Sequence, residues 1–226
     1  MIKSGSLAEK QGALEVMGTL RTAESRAALG QYLDELQAGK LMPELQVDVV
    51  DAAQADGFAA LAARVEAFRT SRSADTVATA LRSALRSGGD VRRGQQVIFA
   101  NPAAECTRCH AFEGSAANVG PNLAKVGATL TRDQLVEALI EPSARIAPGF
   151  GTVGVTLRNG QRVVGTLREE TDTHVVIIEG TPPVERRLAK ADIQERSNPV
   201  SPMPPFGSIL KAREIRDVVE FLSVLK

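Results

Sequence analysis

Cysteine is scarce in this chain of 226 residues, with only two in all. Both stand in Cys106-Thr107-Arg108-Cys109, a spacing that excludes a disulfide framework and points to one shared chemical task. A surplus of charge is missing too: Lys plus Arg and Asp plus Glu number 27 each, so no basic excess points to nucleic acid. No apolar run approaches the roughly 18 residues that cross a bilayer, which excludes a membrane span in this chain. The opening stretch MIKSGSLAEKQGAL has no apolar core of a secretory signal. What is present is an ordinary globular composition, 43% hydrophobic, enough for one large domain or two smaller ones that each bury a core.

From Ser6 to about Ser87, apolar residues recur at intervals of three and four, among Ala, Leu, Glu and Arg, which predicts helix throughout. The expected segments are Leu7 to Leu20, Thr22 to Ala38, Pro43 to Ala55, Phe58 to Thr70 and Ala74 to Arg86. Gly39 stands where a helix should stop, and Pro43 where its fixed φ suits a first turn. Short antiparallel helices with tight turns predict hairpins stacked as in an α-solenoid. Leu7, Leu14 and Val16 then look uncovered, so the chain is expected to be a fragment of something longer.

Ser87-Gly88-Gly89-Asp90 reads as a flexible breaker followed by a helix N-cap, which divides the chain into a helical region 1–87 and a second domain 88–226. A helix over Val91 to Phe99 leads to Asn101-Pro102 and the cysteines, and another is expected over Thr131 to Ile140. Between 150 and 197 the period changes to alternation, with strands expected at Thr152 to Leu157, Arg162 to Leu167, His174 to Ile178 and Val184 to Leu188. Asn159-Gly160 signals a type I′ hairpin. Four or five such strands predict a small barrel or meander, and Ala212 to Lys226 returns to helical spacing.

Cys106-Thr107-Arg108-Cys109-His110 has the C-x-x-C-H pattern of c-type haem attachment. Two thiols one turn apart can each add to a vinyl group on one porphyrin edge, and the adjacent histidine then falls under the iron. A zinc site would need four ligands, reachable only with the distant His174. A dithiol redox site would follow a strand in a βαβ setting and would leave His110 unexplained. Met203 lies between Pro202 and Pro204-Pro205, which can hold a thioether in an extended loop; the alternative is an exposed methionine in a Pro-rich linker. His174 reads as a surface strand residue and stays the other sixth ligand if Met203 fails.

On Gly94, Ile98 and Phe99, the pentad, Gly120-Pro121-Asn122-Leu123, Ser201-Pro202-Met203-Pro204 and Phe221, the region 89–226 apart from its strands resembles class I c-type cytochromes. The resemblance implies a mainly α fold, a cytochrome c helical domain carrying the β-rich stretch 150–197 as a small insertion. It implies one haem c bonded through Cys106 and Cys109, with His110 and Met203 on the iron and the Gly120-Pro121 segment fixing the His110 ring through a carbonyl. Pro121, Leu123, Phe99 and Phe206 are the expected contacts to the haem. Val119, Leu130, Leu135, Leu139, Ile209 and Phe221 are further candidates for an apolar pocket, and Arg108 and Arg145 for the propionates; plain core packing and solvated surface are the alternatives. Lys40 to Gln46, Val119 to Asn122, Glu141 to Ser143 and Ala147 to Phe150 make the whole chain similar to the C-terminal part of large bacterial dehydrogenase-like proteins, in which HEAT-like helices precede a haem-binding domain.

That similarity implies an electron-accepting module with no catalytic residue of its own, serving a dehydrogenase domain or another redox partner outside the cytoplasm, in the periplasm. A haem peroxidase or gas sensor with a displaceable sixth ligand, and a binding scaffold with an accessory haem, are the other two expectations.

Overall fold

The computed structural model describes residues 4–55, 57–73, 81–114 and 119–226. Helix α1 (Leu7–Leu20) starts in a capping box, where Ser6 Oγ accepts the Glu9 N–H and Glu9 accepts the Ser6 N–H at 2.7 Å. Next come α2 (Ala23–Gln37), capped by Thr22, then α3 (Pro43–Ala53) and α4 (Ala59–Thr70). Gly39 turns the chain after α2 at φ 68°, and Pro43 stands at the first turn of α3, both as their chemistry predicts. Residues 81–85 are helical, labelled α5; the rest of the segment expected from Ala74, up to residue 80, lies outside the described residues.

Leu14, Leu29, Leu33, Val49, Phe58 and Val65 bury their side chains in one cluster among α1 to α4. Leu14 is therefore covered by its own array, while Val16 remains 51% exposed. Residues 87–90 are packed against α3 and the last helix, not loosely hinged. Gln11 donates to the Gly88 carbonyl at 2.7 Å, and a Cβ on Gly89 would lie 2.4 Å from the Arg216 carbonyl oxygen.

Asp90 caps α6 (Val91–Ala100) by accepting the Arg93 N–H at 2.8 Å. After the cysteine turn come α7 (Val126–Thr129) and α8 (Arg132–Ile140), the latter opened by a Thr131–Gln134 capping box. The final helix, α9 (Ala212–Val224), runs through the core with Ile215, Val218, Val219, Phe221 and Leu222 buried. It meets α6 where Gly94 lets the backbones approach: any Cβ there would strike the Asp217 carbonyl. Arg216 and Asp48, 0% and 3% exposed, join α9 to α3 through a two-pronged ion pair at 2.6 and 3.1 Å.

Between α8 and α9 stands a five-stranded antiparallel sheet: β1 (Gly151–Leu157), β2 (Arg162–Glu170), β3 (His174–Glu179), β4 (Val184–Ala189) and β5 (Ile193–Arg196). The order is β4-β3-β2-β1-β5. A short 3₁₀ turn, Lys190–Asp192, joins the two edge strands. Four Cα steps reach at most about 15 Å, less than the roughly 19 Å across five flat strands, so the sheet must curl. The β1–β2 hairpin forms where expected, but among its turn residues only Gly160 has positive φ, at 84°. It is a three-residue loop with a glycine bulge and not the type I′ turn read from Asn159-Gly160.

The expectation of a mainly α chain, a cytochrome c helical domain with a small β insertion, is corrected by this architecture. The chain is mixed α and β. Val153, Val155, Leu157, Val163, Val175 and Ile177 form a core separate from both helical clusters. Alternation revealed the strands, but burial by pairing partners far apart in sequence makes them a layer in their own right. No described helix is long and apolar enough to cross a membrane.

Candidate functional site

Cys106 opens a 3₁₀ turn, Cys106–Arg108, that Cys109 closes as its C-cap and that is entered through Glu105 in the left-handed region at φ 45°. In such a turn, positions i and i+3 eclipse, so both thiols leave the backbone on one side. The Cys109 and His110 N–H groups both donate to the Cys106 carbonyl, at 3.2 and 2.9 Å, which compacts the pentad. Neither cysteine is in a disulfide. Burial pushes the Cys106 thiol above its ordinary pKa, so it stays protonated near neutral pH.

A second segment is laid along this turn. The Gly120 N–H donates to the Cys109 carbonyl at 2.9 Å and the Leu123 N–H to the Ala111 carbonyl at 2.8 Å. His110 Nδ1 lies 2.8 Å from the Pro121 carbonyl oxygen. A carbonyl only accepts, so the neutral ring carries its proton on Nδ1 and keeps the lone pair on Nε2. Gly120 permits this closeness, because a Cβ there would sit 2.7 Å from His110 Cε1.

His110, Cys106, Cys109, Pro121 and Leu123 line a cavity of about 840 Å³, together with Met203 and Phe206. Its volume lies in the range of small-molecule and cofactor sites, roughly 300–1,000 Å³. Leu130, Leu135, Leu139 and Val119 line it as well. Its charged side chains, Glu105, Lys125 and Arg145, are exposed and so belong to the rim.

Phe99 is not among the lining residues. It stands half exposed in an aromatic group, 5.0 Å from the Phe112 ring and 6.2 Å from that of Phe221. Its neighbour Ile98 turns to the cavity instead, one residue and about 100° away on the helix. Phe221 and Ile209 also lie outside the lining. Ile98, Phe112, Val126, Ile146 and Phe150 were not foreseen as lining residues; the last two sit in a Pro- and Gly-containing loop with no helical or strand period to say which side chains face inward.

His174 belongs to the sheet, with Nδ1 2.9 Å from Thr171 Oγ1 and Nε2 3.4 Å from Glu169, and it does not reach the cavity. Arg108 is not among the lining residues and pairs with Glu105 of the rim at 2.7 Å, and Arg145 lines the cavity while pairing with Glu137 at 3.3 Å. Among the described residues, no three His, Cys, Asp or Glu side chains converge to hold a metal ion. The donors gathered here are an imidazole with a free Nε2, a thioether and two thiols, set in an apolar enclosure. No family model matches this chain, and no curated protein matches it.

Proposed function

We propose that this chain binds one haem covalently through Cys106 and Cys109, that His110 and Met203 would hold its iron, and that the protein transfers single electrons. The observation that carries the reading is the His110 ring held by the Pro121 carbonyl in the cavity that Met203 also lines. Imidazole and thioether suit a porphyrin iron, and two thiols on one side of a turn suit its vinyl edge. When bound, the haem supplies a reversible one-electron couple.

The chain's own groups tune that couple. Accepting the Nδ1 proton, the Pro121 carbonyl raises the basicity of Nε2 and fixes the ring plane. A thioether ligand favours the reduced state, as an electron acceptor requires, and the apolar lining excludes water. Thr107, Arg108 and Cys109 are exposed, so the attachment edge lies at the surface, where a redox partner protein or a dehydrogenase domain needs only a small contact. Thioether attachment takes place outside the cytoplasm, which assigns the protein to the periplasm or an equivalent space.

The test is production in a host that matures c-type haem, followed by haem staining after denaturing electrophoresis and by potentiometry. One haem that survives denaturation and a reversible couple are expected. Five-coordinate high-spin iron or no reversible couple would contradict electron transfer by this site.

A further inference from the structure

We infer that the five-stranded sheet is a clamp for the Met203 loop, with Ser143 and Ser201 as positioning residues for the thioether; this rests on the haem ligation proposed above. The chain leaves the cavity wall at Phe150 and enters β1 at the next residue. It returns from β5 along the same strand. Thr152 and Val200 exchange backbone hydrogen bonds at 2.8 and 2.9 Å. The Ser197 N–H donates to the Gly154 carbonyl at 2.9 Å, and Ser197 Oγ accepts the Gly154 N–H at 2.9 Å. Pro199 closes on Gly151, where a Cβ would come within 2.8 Å. Outgoing and returning chains are thus zipped together up to the loop.

Beyond the zip, the loop has few means of anchorage. In Ser201-Pro202-Met203-Pro204-Pro205, three residues lack an N–H, so Ser201 and Met203 hold the only backbone donors. Both go to serine hydroxyls. The Ser201 N–H donates to Ser143 Oγ at 3.1 Å, and the Met203 N–H to Ser201 Oγ at 3.2 Å. Ser143 follows α8, whose Leu135 and Leu139 line the cavity, so the two hydroxyls tie the Met203 backbone to the wall it faces. The Met203 backbone cannot leave this wall without breaking the relay or unzipping β1, so the thioether is presented from a fixed point.

The test uses the oxidised holoprotein and three readouts: the sulfur-to-iron charge-transfer band, the reduction potential and displacement of the sixth ligand by imidazole. Ser143→Ala and Ser201→Ala, singly and together, should weaken the band and lower the potential. The double variant should bind imidazole about tenfold more tightly, the change expected from losing one or two ordinary hydrogen bonds. Thr19→Ala, on α1, should match the wild type. Ser143 is exposed, so its variant keeps the test open if Ser201→Ala folds poorly. A wild-type protein without the sulfur band would overturn the ligation itself. A wild type with the band, and variants with unchanged band, potential and imidazole affinity, would overturn the clamp alone.

Discussion

His110 takes its orientation from two neighbours that act by different physics. The Pro121 carbonyl attracts the Nδ1 proton at 2.8 Å, and Gly120 leaves room by having no side chain. Gly120→Ala would put a methyl group 2.7 Å from Cε1, so the ring must rotate or the segment must move. We expect a destabilisation of about 1–3 kcal/mol, measured by denaturant unfolding, together with a fall in the low-spin fraction of the holoprotein. An unchanged spectrum would mean that Gly120 does not set the ring. At this scale the sequence was informative where covalent spacing fixes geometry: Cys106, Cys109 and His110 are adjacent by necessity. Phe99 was misplaced because one step along a helix separates it from Ile98, and local pattern does not say which of two apolar neighbours faces a cavity.

Among elements, the curled sheet depends on what fastens its edges. Glu170, at the end of β2, accepts from Lys190 at 2.8 Å and from Arg196 at 2.7 Å, joining β2 to the edge turn and to β5. The Lys190 and then the Arg196 hydrogen bonds hold the Glu170 carboxyl below its ordinary value of 4.5. A carboxyl depressed in the folded state contributes stability above the unfolded value and loses it as pH falls through the folded one. The wild type should therefore unfold at a higher temperature than Glu170→Gln at neutral pH. The gap should close as the solution is acidified below pH 4.5. A gap that persists in acid would contradict this role. Alternation made the strands legible, and Gly160 the hairpin. The closing pair was not legible, because β1 and β5 are neighbours in the sheet but stand apart in the sequence with three strands between them.

At the scale of the molecule, the helical array and the cavity-bearing half share packing as well as a chain. Val47 of α3 and Leu85 of α5 are buried in the same cluster as Ile98, Leu135 and Val218. The Asp48–Arg216 pair lies within this junction, and the Arg216 guanidinium also donates to the Glu44 carbonyl at 2.9 Å. Nothing in the local pattern around Asp48 or Arg216 announced the pair, since its members come from opposite ends of the chain. Asp48→Ala should leave a buried guanidinium uncompensated and cost about 3–5 kcal/mol. Replacing both residues by apolar ones of similar size should recover much of that loss in denaturant unfolding. Equal stability of Asp48→Ala and wild type would show that the junction does not rely on the pair.

Absorption spectroscopy of the matured protein decides whether His110 and Met203 hold a thioether-bonded haem in one cavity. The expected spectrum has the sharp α-band of a low-spin c-type haem on reduction and the near-infrared sulfur-to-iron band on oxidation. A colourless protein, with Cys106 and Cys109 both open to alkylation, would contradict it.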